Sequence, residues 1–497
     1  YIVQNLKKFS SQVIYHPFLQ SIIDAANTVI WSYLILILAS GLGIYFAIRT
    51  RFVQFRHLGE MIRLTFGGGR KKKEAVGQEK DPDAITPFQA LCIACGGCIG
   101  TGNVAGVALA IVAGGPGAVF WMWLIALLGA GTSFIENTLA QLFKCRDENG
   151  GFRGGPAYYM EKGLGKRWMG IIFAVCMILS FGFALAALQA NTIAQAWDAA
   201  FSIDPIIMGI VICALAALIV IGGVQRIGKF SEAIVPFMAI AYLLLSLAIL
   251  IIHYDKIPAL FASIFKGAFG LDAVFGGTLG AALIQGVKRG IFSNGAGQGD
   301  SPQASAAART THPAKQGLIQ ALAIYIDTIL VCSATAMMVV ISGSYASAEV
   351  DAEGVQLVQH SASMMIGDWA SKFIAIVMFL FCFTSLISNY YYGESNLAFI
   401  MRSSKFRKAY RVCFLLMLFW GAVSGLDIVW DLADLFGGTL AVVNMIALIF
   451  LGKISVSVMK EYEAQQKAGV EEPIFRTSSI PDLDLSEAEC WIDPVKK

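Results

Sequence analysis

Three stretches of this sequence carry residue types that bind small charged groups. The first is Gly96-Gly97-Cys98-Ile99-Gly100-Thr101-Gly102-Asn103, with four Gly in seven residues. Each Gly costs a helix interior about 1 kcal/mol relative to Ala. The second, Lys288-Arg289-Gly290-Ile291-Phe292-Ser293-Asn294-Gly295-Ala296-Gly297, mixes Gly, polar residues and two cations. A helix interrupted at such places frees backbone groups. Half-helix N-termini attract an anionic group such as a carboxylate, and half-helix C-termini and free carbonyls attract ammonium or Na⁺. The third stretch is Thr384-Ser385, followed by Ser388-Asn389-Tyr390-Tyr391-Tyr392-Gly393-Glu394. Two adjacent hydroxyls suit a small hard cation. Alone they would more often bond back to their own helix; opposite a Gly-rich broken helix, the cation is the better reading. The chemistry this suggests is binding of a zwitterion and a cation, with no covalent step.

The elements around these stretches are membrane spans. Of 497 residues, 57% are hydrophobic and 14% charged, and the mean hydropathy is +0.66. A soluble protein carries about 25% charged residues. Spans of about 20 apolar residues are expected at Ala26 to Ala47, Ile85 to Ala113, Gly115 to Phe143, Trp168 to Trp197 and Pro205 to Gly222. Further spans are expected at Phe230 to Ile252, Leu271 to Ala308, Gln316 to Ser342, Trp369 to Leu397, Ala409 to Leu426 and Ile428 to Leu451, eleven in all.

Loop charge agrees with that count. Lys and Arg collect after spans one (Arg49 to Lys80), three (Lys144 to Arg167), five (Arg226, Lys229), seven (Arg309, Lys315) and nine (Arg402 to Arg411). The intervening loops are short or acidic, with Asp198, Asp204, Glu349, Asp351, Asp427 and Asp431. Cytoplasmic loops hold the excess of Lys and Arg. The N-terminus is therefore expected outside and the C-terminus in the cytoplasm. Arg51 to Phe66 reads as an amphipathic helix on the inner membrane surface. The tail from Ser455 reads as a solvated or disordered extension.

Both Gly-rich stretches fall inside spans, two and seven, and each begins a set of five. By loop charge the two spans enter from opposite sides. That is the pattern of an inverted repeat with a midplane binding site. Residues 1–84 then form a preceding helix, basic loop and interfacial helix; residues 85–253 and 254–453 form the repeats; and residues 454–497 form the tail. The bland alternative is that the Gly residues only let helices pack closely. In span seven the break falls either at Gln285 to Gly290 or at Phe292 to Gly297. Lys288 and Arg289 are costly at membrane depth, and are expected to snorkel or to pair with Glu136 or Asp327.

Other function classes fit less well. The charge balance, 37 Lys and Arg against 34 Asp and Glu, argues against nucleic-acid binding. Eight of the ten Cys sit in or beside apolar spans without zinc-type spacing. His is scarce, with no HExxH pattern, which speaks against an enzyme. Proton coupling would need a titratable group at the site, with Glu136, Glu232, Asp327 and Glu394 as candidates.

Several segments resemble the alanine or glycine:cation symporter family, also called sodium:alanine symporters. Gly114 to Gly129, GGPGAVFWMWLIALLG, is similar to that family's signature segment, and GTGNVAGVA at Gly100 to Ala108 to its first broken helix. GGPAYYMEKGLG at Gly154, GGVQRIGKFSEAIVP at Gly222, RGIFSNGAGQGDSP at Arg289 and YYYGE at Tyr390 resemble it too. The resemblance implies an all-α polytopic LeuT-like fold, an inverted 5+5 repeat with one preceding helix. It implies Na⁺-driven import of a small neutral amino acid, alanine or glycine, through the cell inner membrane by a monomer in the lipid bilayer. Na⁺ would be held by the carbonyls of Gly96 and Ile99 and the hydroxyls of Thr384 and Ser385. The amino acid would lie against Cys98, Gly100, Thr101, Gly102 and Asn103, facing Ile291, Phe292, Ser293, Asn294 and Asn389.

The sequence departs from the family pattern in three places. Gly295 stands where the family commonly has an acidic residue, Asn389 where it commonly has Trp, and Cys95-Gly96-Gly97-Cys98 where it is usually Ala-rich. Trp to Asn removes volume and adds a donor and an acceptor. A larger polar substrate such as glutamine, asparagine or serine is therefore the alternative.

Overall fold

The computed structural model describes residues 17–67, 84–147, 150–270, 279–347 and 352–491. The expected start of span seven at Leu271, the cations from Arg70 to Lys80, and Glu349 and Asp351 lie outside them. The described chain is almost wholly helical, with one short hairpin, Cys145–Arg146 against Phe152–Arg153.

Among the described residues seven helices are long and apolar enough to cross a membrane: Gln20–Arg49, Ala118–Leu142, Arg167–Phe201, Gly223–Ile252, Pro313–Ser342, Trp369–Ile400 and Leu426–Lys467. An eighth crossing is the bent pair Pro87–Cys98 and Gly102–Gly114. Pro205–Val220, Ser404–Val423 and Leu279–Asn294 occupy the remaining expected spans. Large apolar side chains stay exposed along the outer faces, among them Ile210, Leu218, Phe237 and Leu244. In water such a surface would be a heavy liability; on a multi-pass membrane protein it is the lipid-facing belt.

Local sequence sets the helix ends. Thr86 and Gln89 form a reciprocal capping box with Pro87 at the first helical position. Asp204 caps the helix that begins at Pro205. Gly165 and Gly343 end their helices in the left-handed conformation. Ile85 pairs with Ala308, and Arg309 N donates to Ile85 O at 3.0 Å. The entry of the first broken helix is thereby tied to the end of the second.

Two expectations need correction. The tail from Ser455 is not a solvated extension. The last helix continues to Lys467, and the chain then returns along the protein. Phe475 N donates to Thr311 O at 2.9 Å, Trp491 Nε1 donates to Gln141 O at 2.9 Å, and Lys162 pairs with Glu489 at 2.7 Å. Phe475, Leu485, Ala488 and Trp491 are buried; a few apolar anchors outweigh the acidic average. The amphipathic segment after span one is two helices, Val53–Arg56 and Leu58–Phe66, entered through left-handed Arg51 and Phe52. Val53 and Met61 face the protein while Phe52, Phe55, Ile62 and Phe66 remain exposed.

Candidate functional site

The first break is local and sharp. Pro87–Cys98 ends at Ile99, whose ψ of 94° is extended, and the chain resumes as helix with a 51° bend. Asn103 holds the break by accepting from Gly100 N through Oδ1 at 3.0 Å. The unbroken helix Trp369–Ile400 lies alongside. Its Ser385 Oγ is 2.8 Å from Gly96 O, 2.9 Å from Gly97 O and 3.4 Å from Ile99 O. A hydroxyl has one proton to donate, so three carbonyls converging on it form an electron-rich pocket. Thr384 packs against Gly96, but its hydroxyl donates to Phe381 O at 2.9 Å within its own helix. Gly100 leaves room for both neighbours: a Cβ there would lie 2.5 Å from Ser385 Oγ and 2.7 Å from Gln189 Oε1 and would push these side chains aside. The carbonyl of Gly97 was not among the expected oxygens. Backbone oxygens carry no residue-type signal in a sequence.

The second break comes after Asn294, at the later of the two expected places. Leu279–Asn294 is continuous helix, and Gly295, Gly297 and Gly299 then take positive φ before Ser301–Ala307 resumes. Glu136 and Asn444 hold the unwound chain. Glu136 Oε1 accepts from Gly297 N at 3.1 Å, and Asn444 Nδ2 donates to Gly297 O at 3.0 Å and to Glu136 Oε2 at 2.9 Å.

Asp327, on Pro313–Ser342, links the two breaks. It accepts from Asn103 Nδ2 at 2.6 Å, Ser293 Oγ at 2.9 Å and Thr328 Oγ1 at 3.0 Å. It was not among the expected binding residues, although a carboxylate inside an apolar span is a functional suspect by default. Gln189 was also missed: its Oε1 accepts from Thr101 N at 3.0 Å and Thr101 Oγ1 at 2.9 Å.

Between the breaks lies a narrow cavity with room for little more than a water molecule. Of the expected substrate residues, Cys98, Gly102, Phe292, Ser293 and Asn389 line it, together with Gln189 and Asp300. Gly100, Thr101, Asn103, Ile291 and Asn294 do not. Thr101 faces Gln189 and Thr192. Asn294 braces the second break through Thr328 and Ala296 N. Ile291 lines a separate apolar gap with Leu42 and Met445.

Lys288 and Arg289 pair with neither Glu136 nor Asp327. Both reach Asp434 on the last helix, at 2.6 Å and 3.0 Å. Arg289 also lies 4.4 Å over the Trp430 ring, which packs on Phe292. The pair partner was hidden because it lies 145 residues away. Towards the loops that follow spans three, five and nine, a wider cavity of about 480 Å³ is lined by Arg153, Tyr391, Glu394, Arg407 and Arg411.

Known proteins resemble this chain in sequence and in fold. The family model described as "Sodium:alanine symporter family" matches residues 16–477. The probable sodium/glutamine symporter GlnT of Bacillus subtilis is 45% identical over 95% of this chain and 96% of its own. The amino-acid carrier protein AlsT of the same organism is 44% identical over 96% of this chain and 98% of its own. The sodium/alanine symporter AgcS of Methanococcus maripaludis is 37% identical over 90% and 98%. Among solved structures, MhsT in complex with L-phenylalanine matches with a TM-score of 0.52 at 14% identity, over 77% of this chain and 99% of that one. A Na⁺-coupled sialic acid symporter matches with a TM-score of 0.50 at 12% identity, over 85% and 98%. These two support the LeuT-like fold. The chain belongs to the sodium:alanine symporter family and is a sodium-coupled amino-acid symporter.

Proposed function

We propose that the chain imports a small neutral amino acid of the alanine and glycine class together with Na⁺, by alternating access across the inner membrane. In this reading it works as a monomer, with its N-terminus outside, its C-terminus in the cytoplasm and Leu58–Phe66 lying on the inner surface. Na⁺ binds between Gly96 O, Ile99 O, Thr384 Oγ1 and Ser385 Oγ, with Gly97 O beside them. The observation that carries this is the convergence of the Gly96, Gly97 and Ile99 carbonyls on Ser385. An entering cation replaces the hydroxyl proton as the partner of those oxygens. It thereby fixes the first break against the unbroken helix. The amino acid lies between Cys98, Gly102, Phe292, Ser293 and Asn389 once the two broken helices part and widen the narrow cavity there, and its affinity is linked reciprocally to that of Na⁺.

The wider cavity on the cation-rich loop side is the release path. The opposite side is closed by Lys288, Arg289 and Asp434 with Trp430 over Phe292. The test is uptake of radiolabelled alanine into proteoliposomes under an inward Na⁺ gradient, with unlabelled amino acids competing. Competition by glycine and serine alone supports the alanine class.

A second reading, a larger polar substrate such as glutamine or asparagine, is favoured by Asn389. Its Oδ1 is buried without a partner and the residue lines the cavity. The relative named as a probable sodium/glutamine symporter is consistent with it. Uptake of glutamine but not alanine would decide for this second reading.

A further inference from the structure

Three carboxylates lie buried around the two breaks, and two are fully engaged. Glu136 accepts from Gly297 N and Asn444 Nδ2. Asp327 accepts from Asn103, Ser293 and Thr328. Asp300 differs. It is 1% exposed, its Oδ2 is 3.4 Å from the Cys98 thiol, and its Oδ1 accepts no hydrogen bond. It immediately precedes the Ser301–Ala307 helix, where an Asp ordinarily caps; it makes no regular cap, and its carboxyl faces the backbone N–H groups of Asp300 and Ser301. Among the described residues no cation pairs with it. A carboxylate buried without counter-charge is strongly disfavoured, so the group either holds a proton or takes a cationic partner that arrives with a ligand.

The surroundings fit a cationic ligand. Asp300 lines the narrow cavity between the breaks, and Asn389, whose Oδ1 also lacks a partner, lines it too. Gly295 keeps the place open: a Cβ there would overlap both Asp300 carboxylate oxygens. One carboxylate and one monovalent cation sum to zero, which suits a site that must be opened to each side in turn. We propose that Asp300, with the Asn389 carbonyl oxygen in the same cavity, binds a monovalent cationic group during transport, apart from the Ser385 site. That group is either a second Na⁺ or the ammonium of the amino acid itself.

Full-length protein would be assayed for binding of radioactive sodium without amino acid, then for binding of radiolabelled alanine and glutamine at saturating Na⁺. The variants are Asp300→Asn and the double change Gly295→Asp with Asp300→Ser. The double change returns a carboxylate from position 295, where Asp tolerates the left-handed backbone. Asp300→Asn is expected to weaken one affinity about ten- to hundred-fold, and the double variant to recover part of it. Loss of sodium binding assigns a second Na⁺. Loss of amino-acid binding with sodium binding intact assigns the ammonium. Both affinities staying within about two-fold of the unaltered protein overturns the proposal. So does a change confined to the pH dependence of uptake, since the bare oxygen would then hold a proton. A measurement on the unaltered protein avoids any folding failure. Alkylation of Cys98, followed by site-resolved mass spectrometry, should slow when Na⁺ or amino acid fills the cavity; equal rates in all conditions also overturn it.

Discussion

Ser385 Oγ lies 2.8 Å from Gly96 O, across the contact between an unbroken helix and a broken one. The carbonyl is free because Ile99 and Gly100 leave helical geometry and Gly100 N turns to Asn103 Oδ1. The hydroxyl is near because Gly100 presents no side chain. Thr384, one residue earlier, turns its hydroxyl to Phe381 O. The two hydroxyls therefore have different parts in the same site.

Thr384→Ala should weaken the apparent Na⁺ affinity while leaving the ranking of competing amino acids unchanged. Its hydroxyl brings one oxygen, a contribution of about 1 kcal/mol, or roughly five-fold. A Na⁺ titration of uptake checks this. Equal loss of Na⁺ and amino-acid affinity at saturating Na⁺ would contradict it.

Gly100→Ala should abolish Na⁺-dependent uptake. The added Cβ would meet Ser385 Oγ at 2.5 Å and Gln189 Oε1 at 2.7 Å, and overpacking of this kind costs about 1–3 kcal/mol. Thermal unfolding of the purified variant should show a modest fall in Tm beside complete loss of uptake. Uptake near the unaltered rate would mean that the break can widen freely.

Asp434→Asn should be among the most destabilising single changes. It leaves buried Arg289 and half-buried Lys288 with their shared counter-charge gone. Breaking a buried pair typically costs about 3–5 kcal/mol. Detergent-solubilised protein should lose much of its folded yield, and a second change, Lys288→Met, should recover part. An unchanged Tm for the single variant would contradict the pairing.

Asn389→Trp should narrow selectivity. The larger ring would crowd the narrow cavity that Asn389 lines, leave less space for a long substrate side chain when it widens, and remove the bare side-chain amide oxygen. Competition by glutamine should fall relative to competition by glycine, measured as the ratio of inhibition constants. An unchanged ratio would place Asn389 away from the transported side chain.

Glu60 gives a pH prediction outside the spans. Burial by itself would raise its carboxyl, but hydrogen bonds from Arg63 and Tyr462 outweigh burial and hold it below the ordinary carboxylate value. Because the folded-state value is lowered, its stabilisation is present above the unfolded value. It is lost as pH falls through the folded one. Glu60→Gln should therefore flatten the acid side of a Tm-against-pH curve and leave the neutral side nearly parallel. An acid limb as steep as that of the unaltered protein would contradict it.

The spans and both breaks were legible because apolar runs and Gly clusters are local signals. Ser385 was legible because its hydroxyl neighbours Thr384 in an apolar helix. Three features were not, for physical reasons. Gly97 O is a backbone atom, the same whatever side chain it belongs to. Asp327 and Asp434 act through partners far along the chain, which spacing does not encode. The docking of the tail depends on Phe475 and Trp491, whose apolar surface is lost in an acidic average. Thr101 and Asn294, expected beside the substrate, bond to Gln189 and Thr328, which neighbouring spans bring to the breaks.

The most direct test of the account is a Na⁺ titration of amino-acid uptake by Ser385→Ala in proteoliposomes, with an equal K⁺ gradient as control. The account predicts an apparent Na⁺ affinity at least about ten-fold weaker, with uptake restored towards normal at high Na⁺ and an unchanged order of competing amino acids. Na⁺ dependence identical to that of the unaltered protein would remove Ser385, and the carbonyls of Gly96 and Ile99 with it, from the coupling site.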